Sequence, residues 1–197
     1  MIDWVGLGSL KSKSFICWHC GNPLASEKWW RAQNSSTGKF WYIYICHHCI
    51  KPTFFDEHES QTPGIIFGND VDDINDEHVE KLYTEARKCT NNNSFTASVL
   101  CCRKLLMHIA VARGANDGLK FIEYVEYLSA KNYIPPDAKD WVDHIREKGN
   151  EANHEITIMT KEDAEDLIAF SEMLLKLIYE FPANVKRKRP APTIPQA

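Results

Sequence analysis

The sequence has no run of about 18 apolar residues, the length a helix needs to cross a bilayer. Its start, Met1-Ile2-Asp3-Trp4, lacks a basic stretch followed by an apolar one, so a secretory signal is not expected. No internal repeat occurs. These absences point to a cytoplasmic chain with no membrane partner. In that reducing setting the seven cysteines are expected to be metal ligands or packing residues and not disulfides. With 44% apolar and 25% charged residues, the 197-residue chain can bury a real core.

The net charge of −4 is unevenly spread. Residues 1–55 carry six Lys/Arg and two acids, and residues 56–85 carry one Lys and ten acids. Residues 186–197 carry four basic residues and no acid. The chain as a whole is therefore not a polycation built for nucleic acid, but both ends are basic.

Two Cys-x-x-Cys pairs stand out: Cys17-Trp-His-Cys20-Gly21 and Cys46-His-His-Cys49. A two-residue spacer lets both thiolates of a pair face one point, and two pairs complete a tetrahedral zinc site. Phe40-Trp-Tyr-Ile-Tyr-Ile45 has strand composition and leads into the second pair. The pattern predicts a zinc ribbon over 1–55, with one structural zinc on Cys17, Cys20, Cys46 and Cys49. His19, His47 and His48 are possible competitors, but the four thiolates already fill the coordination sphere. Five of the six tryptophans also fall here, at positions 4, 18, 29, 30 and 41. A module this small needs some of them as core. Lys28, Trp29, Trp30 and Arg31 form a second candidate, a platform for stacking bases or a protein partner.

Residues 56–73 read as an acidic linker, and 74–182 as helical almost throughout. Helices are expected over about 74–90, 95–113, 118–131, from Pro135-Pro136 onward, and over 161–180. Ser94 and Thr160 serve as N-caps, with Asp163 completing a capping box, and Pro182 as the stop. The tail, 183–197, is basic and proline-rich and is expected to be disordered. Lys186, Arg187, Lys188 and Arg189 are its candidate binding residues. Adjacent Cys101 and Cys102 diverge by about 100° on a helix, so one is expected inside and the other at a flank. Arg146, Asn150 and His154 recur at four-residue steps and so share about 80° of one helix face. They are the candidate catalytic set, with a buried polar network as the alternative.

Ile145-Arg146-x-x-Gly149-Asn150-x-x-x-His154-Glu155, then Thr160-x-Glu162-Asp163-Ala164 and Tyr179-Glu180-Phe181-Pro182, resemble an uncharacterised helical domain. That domain is often attached to restriction-system subunits and phage proteins, and it is similar to the HEPN superfamily. The resemblance covers about 95–182. It implies a mainly α chain, an antiparallel HEPN-like helical bundle behind a small β zinc ribbon, and a homodimer through the helices. It further implies partners in prokaryotic or phage nucleic-acid conflict: nucleic acid, or a protein of a defence system. HEPN ribonucleases place an Arg directly before the polar residue of their motif; here Gly149 stands there, one turn after Arg146. The expected function is therefore a non-catalytic binding or adaptor protein. A metal-independent endoribonuclease using Arg146 and His154, and a protein-only inhibitor, are the alternatives.

Replacing His154 by Ala is expected to lower stability by about 1–3 kcal/mol in thermal denaturation, because its hydrogen-bond partners are left unsatisfied. Loss of RNA cleavage at an unchanged melting temperature would establish the ribonuclease instead.

Overall fold

A computed structural model describes residues 2–5 (backbone only), 12–135, 141 and 158–188. The chain divides into two units, Met1–Phe67 with Thr90–Asn93, and Gly68–Cys89 with Ser94–Ala197.

Apart from Thr90 and Asn91, the last residues of a helix, the described regular structure of the first unit is β. Its strands are β1 (Ile2–Val5), β2 (Lys13–Ile16), β3 (Pro23–Ser26), β4 (Trp29–Asn34), β5 (Phe40–Ile45), β6 (Pro52–Phe55) and β7 (Gln61–Thr62). Five of them form one sheet in the order β1-β4-β5-β6-β7, while β2 and β3 make a separate hairpin, with every pairing antiparallel. Period-two alternation puts Trp29, Tyr42, Tyr44 and Phe55 on one face of the sheet. Phe15 of the hairpin closes over that face, 5.3 Å from the Phe55 ring and 5.9 Å from Tyr44. This aromatic cluster is the unit's core, with Trp29, Tyr44 and Phe55 almost fully buried. The sheet runs past Phe55 to Thr62, seven residues beyond the expected end of the ribbon.

The second unit holds the helices: α1 (Glu77–Asn91), most of which belongs here, α2 (Phe95–Ala112), α3 (Phe121–Ala130), α4 (Lys161–Leu175) and α5 (Phe181–Lys188). α2 is the central rod, packed against both α3 and α4. Its length and a mean hydropathy of 1.5 would suit a membrane span, but Val99, Cys102, Leu105, Leu106, Ile109 and Ala110 lie in the core of this unit. Asp76 starts α1: one carboxylate oxygen accepts from the amides of His78 and Val79, and the other meets His108 Nε2 of α2 at 3.1 Å. That imidazole holds the Asp76 carboxyl below its usual range. The expected Thr160–Asp163 capping box is present. Ser94 precedes α2 as expected but makes no side-chain cap bond. Of the expected fourth helix only Trp141 is described, helical and edge-on to Phe170 at 5.3 Å.

Three expectations are corrected. The chain is not mainly α with a small ribbon, nor an antiparallel HEPN-like bundle. It is mixed, with seven strands in two sheets among the described residues ahead of the helices, and α2 as the hub of the second unit. The β content was underestimated because only the strand leading into Cys46 carries an apolar run strong enough to read alone. Pro182 does not end the last helix. A five-residue π turn, Lys176–Glu180, intervenes, and the Phe181 amide reaches back to the Lys176 carbonyl. Widening the turn accommodates a proline that lacks an N–H and would crowd the carbonyl four residues earlier. The chain then continues as α5, so residues 183–188 are helical rather than part of a disordered tail.

The third correction concerns the acidic linker. Residues 68–73 are a strap that ties α1 to the C-terminal helices within the second unit. Asn69 donates its backbone N–H and its side-chain amide to Glu172 at 2.8 and 2.9 Å. The Asp72 amide donates to Glu180, and Arg187 of α5 grips Asp73 with two bonds of 2.7 and 2.8 Å. From α1, Tyr83 donates its hydroxyl to the Asn69 carbonyl at 2.9 Å, and Arg87 reaches the Gly68 carbonyl and Asp70. Gly68 makes this possible. Its φ is +75°, and a Cβ there would stand 2.8 Å from Ile168 Cγ2 and 3.2 Å from the Tyr83 hydroxyl.

Gly68→Ala combines left-handed backbone strain with steric overlap. It is expected to cost at least about 2 kcal/mol in thermal or denaturant unfolding. An unchanged midpoint would show that the strap does not dock as described.

Candidate metal centre

The two Cys-x-x-Cys pairs occupy equivalent places in two hairpins. Cys17–Asn22 is the turn joining β2 to β3, and Cys46–Lys51 is the turn joining β5 to β6. Their internal bonding matches. The Cys17 amide donates to the Asn22 carbonyl and the Cys46 amide to the Lys51 carbonyl, both at 3.0 Å. The Gly21 amide returns to the Cys17 carbonyl at 3.0 Å and the Ile50 amide to the Cys46 carbonyl at 2.9 Å. Each turn needs a left-handed residue after its second cysteine. Gly21 supplies it at φ +67°, whereas Ile50 adopts φ 60° with 70% of its surface exposed. For a β-branched residue that conformation costs about 1–2 kcal/mol, so the second knuckle is held in a strained shape.

The knuckles face each other. Cys17 Sγ lies 3.6 Å from Cys49 Sγ, and Cys20 Sγ 3.7 Å from Cys46 Sγ; all four sulfurs fall within 4.8 Å of one another. A tetrahedral site with Zn–S bonds of about 2.3 Å has edges of about 3.8 Å. The four cysteines can therefore hold one metal ion. No other group of Cys, His, Asp or Glu among the described residues has this geometry. The imidazoles of His19, His47 and His48 do not belong to it.

The surroundings suit thiolate ligands. The His19 amide points at Cys17 Sγ and the Asn22 side-chain amide at Cys20 Sγ, each at 3.4 Å. The Asn22 amides, backbone and side chain, lower the Cys20 thiol to about 6. Burial pushes Cys17 up to about 12. A metal must displace that proton, so loading releases acid and weakens as the pH falls. Outside the ligands, Trp18 Nε1 donates to the Pro52 carbonyl at 2.8 Å, linking the first knuckle to the strand leaving the second. Ser26 Oγ sits 2.9 Å from the Ile45 carbonyl, bracing the residue before Cys46. The bracing roles of Trp18 and Ser26 were not anticipated from the sequence. A legible signal was available, since Cys-x-x-Cys-x-x-Pro occurs twice, ending at Pro23 and Pro52.

The remaining candidates scatter. Trp29 and Trp30 are neighbours on β4 and leave opposite faces. Trp29 is 2% exposed in the aromatic core, while Trp30 is 42% exposed. Arg31 lies over the Trp29 and Phe40 rings at 5.8 and 4.9 Å, on the Trp29 side. Lys28 is exposed in the turn before β4. These four do not form one platform. Lys186 and Lys188 are exposed on α5, while Arg187 is committed to Asp73. Arg146, Asn150, His154 and Arg189 lie outside the described residues. Cys102 is buried in α2 and Cys101 sits at its flank; burial raises both thiols, Cys101 to about 11 and Cys102 to about 12.

Residues 84–190 match the family described as "Domain of unknown function (DUF4145)", which covers more than half of the sequence. The chain belongs to that family. The DUF4145 segment begins inside α1 and takes in α2 through α5. The metal centre, and the strap at 68–73, lie ahead of it. No curated protein and no solved structure matches the chain.

Chelation, or Cys46→Ala, is expected to collapse the near-ultraviolet signal of the N-terminal tryptophans while leaving most far-ultraviolet helical signal intact. Retention of the tryptophan signal after the metal is removed would show that the sulfurs are not the staple.

Proposed function

We propose that this protein is a non-catalytic nucleic-acid adaptor, in which a ribbon stapled by structural zinc is joined to a DUF4145 domain. The supporting observation is the closure of the metal centre. Four protein sulfurs at tetrahedral spacing leave no position for water or substrate, and that is the mark of a structural site. Thiolate donors favour zinc over the hard cations. The ribbon's contribution is then a rigid surface, which includes the exposed Trp30 and Lys28. The adaptor works in the setting implied by the sequence resemblance, defence or counter-defence between prokaryotes and mobile elements.

The test is binding of the zinc-loaded full chain to labelled single-stranded and duplex nucleic acid across a salt series. Binding that weakens linearly in log–log form with salt is expected, with a slope reporting a few phosphate contacts. Absence of binding at low salt, with metal content near one zinc per chain, would overturn the nucleic-acid reading.

A further inference from the structure

We infer that the DUF4145 unit carries a stacking surface for single-stranded nucleic acid, centred on Arg113 between Tyr133 and Tyr179. The inference rests on the nucleic-acid reading above and locates the contact.

Arg113 is the residue that closes α2. Its guanidinium carbon lies 5.6 Å from the centre of the Tyr133 ring and 5.7 Å from that of Tyr179. Among the described residues no carboxylate or carbonyl takes a hydrogen bond from this guanidinium. An arginine serving only to finish a helix would spend its donors on the last carbonyls or on a nearby acid. Here it is held by ring faces, which leaves its planar N–H edge available to a phosphate. A second pair adjoins the first. Lys131 Nζ stands 5.8 Å from the Tyr127 ring, and the Tyr127 hydroxyl donates to the Arg113 carbonyl at 2.9 Å. Three half-buried tyrosines and two cations are thus linked through Arg113, two rings at its side chain and the third at its backbone carbonyl, and make up the strip.

The acids that could neutralise the strip from Tyr179's own helix are engaged elsewhere. Glu172 takes Asn69 and Lys176, and Glu180 takes the Asp72 amide. Tyr179 itself sits in the π turn, a distortion that recurs at functional sites. Lys186 and Lys188 follow it on α5, both exposed. Alternating rings and cations suit a strand whose bases are free to stack and whose phosphates lie between them. A duplex keeps its bases stacked internally and cannot use the rings.

The experiment is fluorescence anisotropy of the full, zinc-loaded chain with labelled oligouridylate, oligothymidylate and a duplex. Both single strands are expected to bind more tightly than the duplex; binding of either one supports the adaptor reading, and the variants decide whether this surface is the contact. Arg113→Ala and Tyr179→Leu should each weaken single-strand binding about tenfold, as loss of one stacked base does. Tyr179→Phe should bind like wild type, since it keeps the ring. Arg113→Lys, which keeps the charge but not the plane, should bind several-fold more weakly at an unchanged melting temperature, and it decides the matter if Tyr179→Leu fails to fold. Wild-type affinity in Arg113→Lys, Arg113→Ala and Tyr179→Leu, with binding otherwise intact, would overturn this surface and leave the adaptor reading standing. Equal losses in Tyr179→Phe and Tyr179→Leu would also overturn it. No binding of any probe by the wild-type chain would overturn both.

Discussion

Four sulfur atoms drawn within 4.8 Å of one another are the constraint on which the N-terminal unit depends. Two β-hairpins are bent into equivalent knuckles to deliver them, and the rest of the unit follows from that demand. The aromatic core lies immediately behind the cluster, with Phe15 in contact with both the cysteines and the Trp29–Tyr44–Phe55 group. A module of this size has too little apolar volume to fold on burial alone. A metal held by these four sulfurs would supply what the core cannot, and would hold Ile50 in the left-handed conformation it adopts. Metal–sulfur bonds at this site would over-determine the knuckle's shape and so make its strain tolerable.

The second unit solves its problem differently. α2 is apolar around much of its circumference, so one partner cannot cover it, and both α3 and α4 are recruited. The strap at 68–73 finishes the work from outside the DUF4145 segment. Its charges look like a solvated linker on paper. In space two of its three acids are paired, Asp70 with Arg87 and Asp73 with Arg187, and Asp72 contributes its backbone N–H to Glu180. Exposed pairs of this kind contribute little individually. Their role is to fix the path of a chain that Gly68 allows to pass closer to Ile168 than any side chain would permit.

How much of this was legible depended on the range of the cause. The four clustered cysteines could be read directly, because the chelating geometry of Cys-x-x-Cys is local and two such pairs supply the four donors that a tetrahedral ion takes. The Thr160–Asp163 box was equally local. The helix positions came from periodicity and held to within a few residues for α1, α2 and α3. The short strands did not reveal themselves, since β2, β3, β6 and β7 have only two to four residues each. Trp29 and Trp30 looked like one platform because they are adjacent. Strand alternation separates them, and only the strand assignment makes that alternation apply.

The sequence by itself determined the metal centre, the separation of a cysteine-rich β module from a helical region, and the capping box that starts α4. The capping box is set by residues within a few positions of one another, and the metal centre by two Cys-x-x-Cys pairs, each of them local. Only the tertiary structure decided that 68–73 is a strap, that Pro182 is absorbed by a π turn, that Arg187 is tied to Asp73, and that Arg113 stands between Tyr133 and Tyr179. Apart from the π turn, the contacts among these residues join positions 14 to more than 100 apart. Spacing along the chain carries no record of them, because they follow from which surfaces meet once the hydrophobic faces have packed.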